Sequence, residues 1–140
     1  MNGENKTFAI ILNMEYLKSY RDLIVWQKSM ELTQMIYKHT TAFPKEEIFG
    51  LTSQMRRAAV SVSANIAEGQ ARNSTGEFHQ FLGIAKGSLA ELETLIILSA
   101  NLELLGKKDS TNLHNLSAEI NKMLHELQKS IRPKELTTNH

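Results

Sequence analysis

The chain has 140 residues, a length that predicts one domain with a sizeable core. Its 16 Lys and Arg residues and 15 Asp and Glu residues give a net charge of +1, far from the strong positive charge of a dedicated nucleic-acid-binding domain. The absence of cysteine excludes disulfides and thiolate metal sites, and no apolar run approaches the roughly 18 residues of a membrane helix. We therefore expect a cytoplasmic protein that does not contact a membrane.

Hydrophobic spacing predicts four helices. Residues 1–19 fit no helical pattern and are expected to form a poorly ordered N-terminal arm, and the polar residues 133–140 a frayed tail. Within 20–132, apolar residues recur every three and four positions. The predicted helices run from Asp22 to Thr41, from Glu47 to Ala71, from Thr75 to Leu105 and from Ser110 to Ile131. Four such helices with short connections favour an all-α, up-down-up-down antiparallel four-helix bundle.

Several helix ends follow from capping residues. Asp22 is the predicted N-cap of the first helix, and Ser74 with Glu77 forms a capping box before the third. Gly106 is the expected C-terminal glycine of the third helix, and Asp109 or Ser110 begins the fourth. The predicted inward stripe of the first helix comprises Leu23, Trp26, Met30, Thr33 and Tyr37.

The second predicted helix carries no charge between Ala58 and Ala67. A surface helix normally keeps charged or polar side chains on the side away from the core. Here Val60, Ala64 and Ala67 lie opposite the predicted core stripe, which comprises Leu51, Met55, Ala58, Val62 and Ile66. Either the rest of the bundle or other subunits must cover this side.

The third predicted helix carries the same signal. Gly83 and Gly87 lie four residues apart and away from its core stripe, although each mid-helix glycine costs about 1 kcal/mol relative to alanine. Such glycines favour a close approach by another helix, in this subunit or the next. Ile84, Ile97 and Leu98 also point off the stripe. We expect a subunit interface here; the alternative is that a short bundle buries these residues between its own helices.

Arginines on the second helix are the candidate nucleic-acid contacts. Arg56 and Arg57 are adjacent on the predicted outward side, Arg72 lies at the end of the helix, and Lys86 and Lys28 complete the candidate set. In a symmetric oligomer each cation is repeated, and affinity for a polyanion grows with the number of phosphates neutralised. The alternative is ordinary surface charge paired locally with Glu68 or Glu47.

Catalytic and metal-binding motifs are not found. No Glu is followed by His three residues later, as a di-iron bundle requires, and the five His residues are scattered. The sequence has no Gly-rich phosphate loop and no nucleophile elbow. Asn65 near Glu68 is better explained as an amide at the edge of the core that fixes helix register than as a catalytic pair. We predict no enzymatic activity, no cofactor and no metal.

Four segments of the chain carry a family resemblance: YRDLIVWQKSMEL (20–32), FPKEEIFGL (43–51), QMRRAAVSVSANIAEGQARNS (54–74) and EFHQFLGIAKGSLAELETLIILS (77–99). They resemble the four-helix-bundle family encoded in intervening sequences of bacterial 23S ribosomal RNA genes. The resemblance spans about residues 20–131, and NIAEG (65–69) and GSLAELET (87–94) are its most specific parts.

This resemblance implies a small bundle assembled as a ring of five. The resemblance extends to the accessory protein of diversity-generating retroelements, which uses the same fold and looks like a pentamer with a basic surface that binds nucleic acid and the reverse transcriptase. By that likeness Arg56, Arg57 and Arg72 belong to a nucleic-acid surface. The residues implied to be structural or at subunit contacts are Asn65, Glu68, Gly83, Gly87 and Ser88.

The expected function is therefore that of a non-enzymatic homo-oligomer, a nucleic-acid-binding accessory or scaffold. Its expected partners are copies of itself, RNA or DNA, and another protein. The alternative is a protein–protein assembly module that binds no nucleic acid. The expected subunit or helix-packing contacts are Val60, Ala64, Asn65, Ala67, Glu68, Gly83, Gly87, Ser88, Ile97 and Leu98.

Overall fold

Four helices make up the computed structural model, which describes residues 19–131. The predicted tail over 133–140 and all but the last residue of the predicted arm over 1–19 lie outside these residues. Short 3-10 turns at Tyr20–Asp22 and Lys45–Glu47 precede the first two helices, and residues 19–131 include no strand. The helices are α1 (Ile24–Thr40), α2 (Leu51–Ala71), α3 (Thr75–Asn101) and α4 (Lys107–Ser130).

All four helix pairs around the bundle are antiparallel. Each helix packs against the next in the chain, and α4 closes against α1. In every pair, the partner's residue number falls as the helix advances. The pairs that show this are Ser29–Ser63 and Thr40–Arg56, Met55–Ser99 and Ser61–Ser88, His79–Gln128 and Glu93–Ser117, and Lys28–Glu119 and His39–Asp109. The predicted up-down-up-down four-helix bundle is confirmed.

The core consists mainly of Leu, Ile and Ala side chains from all four helices. The predicted stripe of α2 is buried along its whole length, from Leu51 to Ile66. On α3 the fully buried residues include Leu82, Leu89 and Leu92. Burying one such side chain contributes about 1.5–3 kcal/mol relative to leaving it exposed, so this core is the main source of stability.

The predicted core stripe of α1 was partly wrong. Tyr37 is exposed and Trp26 and Met30 are only half-buried, whereas Val25, Leu32 and Ile36 form the apolar stripe. Ser29 and Thr33 of α1 are also buried, and they meet Ser63 of α2 where the two helices pack. Their hydroxyls are satisfied there: Ser29 Oγ donates to Ser63 Oγ at 3.1 Å, and Thr33 Oγ1 donates to the carbonyl oxygens of Ser29 and Ala59 at 2.8 and 3.1 Å.

Three predicted helix starts also need correction. Asp22 belongs to the first 3-10 turn, which Ser19 caps, and α1 begins two residues later after Leu23. The 3-10 turn at Lys45–Glu47 delays α2 until Leu51, and α4 begins after Gly106 rather than at Asp109 or Ser110. The Ser74 cap is confirmed, because the Glu77 amide donates to Ser74 Oγ at 3.1 Å.

The end of α3 lies four residues before its predicted position, and its reversal uses Glu103 rather than Gly106. Glu103 adopts a left-handed backbone with φ of 62°. The Leu104 amide donates to the Ser99 carbonyl at 2.9 Å and the Glu103 amide to the Ala100 carbonyl at 3.0 Å. This is the hydrogen-bond pattern of a Schellman motif, in which glycine normally takes the left-handed position.

Glu103→Gly should therefore stabilise the protein. Glycine removes the steric cost that a side chain meets at positive φ, and we expect a gain of about 0.5–1 kcal/mol after its larger unfolded-state entropy is counted. The measurement is the melting temperature, which should rise by a few degrees. Glu103→Ala is the control, since it removes the carboxylate but keeps the Cβ atom, and it should give no comparable rise.

Gly69 permits the close approach of α2 and α3. A Cβ atom there would lie 2.6 Å from Phe81 Cβ and 3.1 Å from Phe78 Cδ1. Gly87 differs, because a Cβ atom at that position meets no atom of this chain within 4 Å.

Gly69→Ala, in the last turn of α2, and Gly87→Ala, in the middle of α3, should have opposite effects on stability. Gly87→Ala gains about 1 kcal/mol of helix propensity, whereas Gly69→Ala gains less near the helix end and adds a clash, and overpacking costs about 1–3 kcal/mol. We expect urea unfolding to show Gly69→Ala less stable than Gly87→Ala. Equal stability of the two variants would mean that the α2–α3 contact relaxes freely at Gly69.

Candidate nucleic-acid and subunit interfaces

Arg56 is tied to the last turn of α1 and does not project freely into solvent as predicted. Its Nε donates to Thr40 Oγ1 at 2.9 Å and its Nη2 to the Tyr37 carbonyl at 3.4 Å. The guanidinium also lies 4.6 Å from the centroid of the Tyr37 ring. A cation near helix-terminal carbonyls interacts favourably with the helix dipole, so Arg56 joins α2 to the end of α1.

Arg57 is the most available of the candidate cations. Its side chain is 73% exposed, and its Nη2 lies 3.7 Å from Glu91 Oε2 on α3. An exposed pair at that distance contributes little to stability, and Arg57 can exchange Glu91 for another anion at small cost.

Arg72 lies at the opposite end of α2, about 22 Å from Arg57 at the helical rise per residue. Its Nη2 donates to Glu68 Oε1 at 2.8 Å, its Nη1 lies 3.9 Å from Glu77 Oε1, and its guanidinium lies over the Phe81 ring. For Arg72 the alternative stated above, an ordinary surface charge paired locally with Glu68, is correct.

The two candidate lysines do not lie beside the arginines of α2. Lys86 Nζ is 3.4 Å from His125 Nδ1 and 3.5 Å from Gln128 Oε1, at the α3–α4 edge. Lys28 Nζ is 3.0 Å from Glu119 Oε1, at the α1–α4 edge, which is opposite the α2–α3 edge that holds Arg57. The five cations therefore form no continuous strip on a single chain.

Apolar side chains remain uncovered on the outer sides of α2 and α3. Val60 is 45% exposed, Ile84 46%, Ile97 52% and Leu98 42%. Ala64 is exposed and Ala67 half-buried. The helices of residues 19–131 therefore leave these apolar side chains exposed, and the alternative that a short bundle buries them between its own helices is wrong.

The two glycines of α3 differ in what lies beside them. A Cβ atom at Gly83 would meet the end of the Gln128 side chain of α4 at 3.2 Å, so a helix of this subunit lies close to Gly83. At Gly87 a Cβ atom would meet no atom of the described chain within 4 Å, so no helix of this subunit makes the predicted close approach there.

Asn65 and Ser88 take part in the packing of α2 on α3. Asn65 Nδ2 donates to the carbonyl and hydroxyl oxygens of Ser61 at 2.8 and 3.0 Å, and Ser61 Oγ lies 2.8 Å from Ser88 Oγ. The half-buried Asn65 amide is thus hydrogen-bonded within its own helix and supports a contact between helices. Glu68, the supposed acid partner, is paired with Arg72.

A recess that sequence reasoning missed lies at the start of α2. Its volume is about 440 Å³, and its lining residues are Tyr37, Ile48, Thr52, Ser53, Arg56, Arg57 and Val60. The spacing of Thr52, Arg56 and Val60, and of Ser53 and Arg57, places all five on one side of α2. Tyr37 and Ile48 come from other elements, so the α2 pattern alone does not predict the recess.

Two further findings concern the described part of the chain. Residues 19–131 contain no group of three or more His, Asp or Glu side chains arranged to hold a metal ion. None of the four helices is long and apolar enough to cross a membrane.

Residues 21–126 match the family model for the 23S rRNA-intervening sequence protein. The chain belongs to this family. A structure of a protein of unknown function from the S23 ribosomal protein family of Bacteroides thetaiotaomicron is similar, with 29% sequence identity and a TM-score of 0.69. The similarity covers 76% of this chain and 99% of the other. No curated protein matches the chain.

The contacts of Arg56 and Arg57 predict different effects on stability. Arg56→Ala removes two hydrogen bonds from a cation and leaves the buried Thr40 hydroxyl without one partner, which we expect to cost about 1–2 kcal/mol. Arg57→Ala should change the free energy of unfolding by no more than about 0.5 kcal/mol. Urea unfolding of both variants checks this difference. A stability change of similar size in both would contradict the anchoring role of Arg56.

Proposed function

We propose that the chain is a non-enzymatic homo-oligomer whose subunits meet through the outer sides of α2 and α3. The observation that carries this proposal is the uncovered apolar set Val60, Ile84, Ile97 and Leu98 on two adjacent helices. Single exposed apolar residues are common on monomers, but several on two adjacent helices are typical of an interaction surface.

Helical spacing places two members of this set, Ile84 and Leu98, on one stripe of α3. Ile84, Gly87, Glu91 and Leu98 follow one another at intervals of three, four and seven residues, so they lie along the same outer side of α3. Gly87 leaves space within that stripe for a close neighbour. The family resemblance favours a ring of five.

In such an assembly we propose that the cations at the start of α2 bind nucleic acid. A single chain of net charge +1 offers few phosphate contacts, but a symmetric oligomer repeats Arg56 and Arg57 in every subunit. Arg57 is exposed and only loosely paired, so it is the residue best suited to contact a phosphate.

The second candidate is a protein assembly module without nucleic acid. It is favoured by one observation: each of the five candidate cations already has a polar or anionic partner within the chain. Phosphate contacts would have to displace some of these partners.

Leu98→Glu should disrupt the assembly while leaving the bundle folded. A carboxylate in a covered apolar interface loses its hydration, whereas Leu98 contributes little to the protomer core. Light scattering after size exclusion should show a lower mass than wild type, with unchanged helical circular dichroism. Ile24→Glu is the control, because Ile24 is similarly exposed, at 48%, but lies on α1. Loss of mass in the control alone would place the interface elsewhere.

Nucleic-acid binding should weaken steeply with salt and depend on Arg57. Each phosphate contact releases counterions, so Arg57→Ala should lower affinity for single-stranded RNA and flatten the slope of log affinity against log salt, without loss of oligomeric mass. Fluorescence anisotropy between about 50 and 200 mM salt measures both quantities. If wild type shows no binding at the lowest salt, the protein-module function takes the place of this one.

A further inference from the structure

Thr52 carries the first observation that points to a ligand in the recess. It is only 6% exposed and lines the recess, yet its hydroxyl has no hydrogen-bond partner among residues 19–131. The other two buried threonines, Thr33 and Thr40, each donate to the carbonyl four residues earlier, so Thr52 is the exception among the buried threonines of residues 19–131. Buried hydroxyls rarely remain unpaired in folded proteins, which makes Thr52 a donor available to a bound molecule.

Two arginines line the recess together with Thr52. Arg56 is held toward α1 by Thr40 and the Tyr37 carbonyl, bonds that engage its Nε and Nη2. Arg57 is turned toward Glu91 of α3 and keeps most of its donors exposed to solvent. The lining therefore supplies two guanidinium groups and the hydroxyls of Thr52 and Ser53, and arginine binds phosphate with paired hydrogen bonds.

Two carboxylates limit the strength of such binding. Glu47 Oε1 accepts from the Leu51 amide at 3.3 Å, so it already occupies the first amide of α2. Glu91 competes for Arg57 at 3.7 Å. The arginines and Thr52, rather than the helix terminus, must therefore supply the attraction for an anion.

The remaining walls are apolar or aromatic. Ile48, Val60 and the Tyr37 ring are all exposed at the recess. The volume of about 440 Å³ falls within the range of small-molecule sites, about 300–1,000 Å³. A ligand that fits both parts has a phosphate attached to a flat aromatic ring system, whose faces can pack against apolar side chains.

We propose that this recess binds one nucleotide unit, with its phosphate at Arg56, Arg57 and Thr52 and its base against Ile48, which lies outside the proposed subunit interface. The nucleotide is either a free mononucleotide or a unit of a single strand; the second case rests on the proposed nucleic-acid function.

Calorimetric titration of the full chain at low salt tests the proposal, with AMP, adenosine and inorganic phosphate as probes. AMP should bind, and adenosine and inorganic phosphate should each bind more weakly than AMP. Arg57→Gln should weaken AMP binding by roughly tenfold, and Thr52→Val should weaken it by several-fold. Thr52→Val should melt no lower than wild type, because it removes an unpaired hydroxyl. Failure of AMP to bind overturns the proposal.

Two variants make the test specific. Glu91→Gln should tighten AMP binding, since it frees Arg57 from its competing carboxylate. Arg72→Gln removes an equally charged side chain at the far end of α2 and should leave AMP affinity unchanged. An equal loss in Arg72→Gln and Arg57→Gln would show non-specific attraction and reject the recess.

A short 5′-phosphorylated RNA separates the recess from the proposed function. If the protein binds AMP but not the RNA, the recess is a site for free nucleotides and the proposed nucleic-acid function is wrong. If the protein binds the RNA and neither added AMP nor Thr52→Val weakens that binding, the recess is not the binding site, although the proposed nucleic-acid function remains. If Val60→Glu lowers the oligomeric mass and wild type binds no AMP, a neighbouring subunit fills the recess and the proposal is wrong.

Discussion

The close contact between α2 and α3 is the constraint on which the rest of the structure depends. It is the most extensive helix pair of the bundle, and small residues make it possible. Gly69 lies against Phe78 and Phe81, and the Ser61 and Ser88 hydroxyls meet in the middle of the contact. Larger side chains at these positions would push the helices apart and open the core that Leu82 and Leu89 fill.

This arrangement also explains why both helices have apolar surface to spare. The inner side of α2 uses small residues such as Ala58 and Ala59, while Val60 faces outward. On α3 the inward stripe is complete without Ile84, Ile97 and Leu98. The protomer thus satisfies its own core and leaves a second apolar surface, which is the physical basis for the proposed assembly.

The sequence predicted best what depends on long periodic patterns. The four helices and the buried stripe of α2 were confirmed because many residues contribute to each period. The stripe of α1 was partly wrong, since contacts of Ser29 and Thr33 with α2 decide which side of α1 turns inward. The end of α3 was misplaced because Glu103 adopts a backbone that glycine usually supplies.

The candidate site was harder to predict because its geometry combines distant parts of the chain. Arg56 was expected to project outward, but its partners, Thr40 and Tyr37, lie on α1, and periodicity within α2 carries no sign of them. The unpaired hydroxyl of Thr52 is equally invisible in sequence. The exposed positions of Arg57 and of Ile84, Ile97 and Leu98 were predicted correctly, because they depend on helical spacing alone.

Sedimentation of the wild-type protein over a wide concentration range tests the central claim most directly. If the outer sides of α2 and α3 form a subunit interface, the mass should be a fixed multiple of the 15.8 kDa chain and should persist on dilution to micromolar concentration. A mass of 15.8 kDa throughout that range would contradict the account, because the exposed apolar stripe would then be stable in water without a partner.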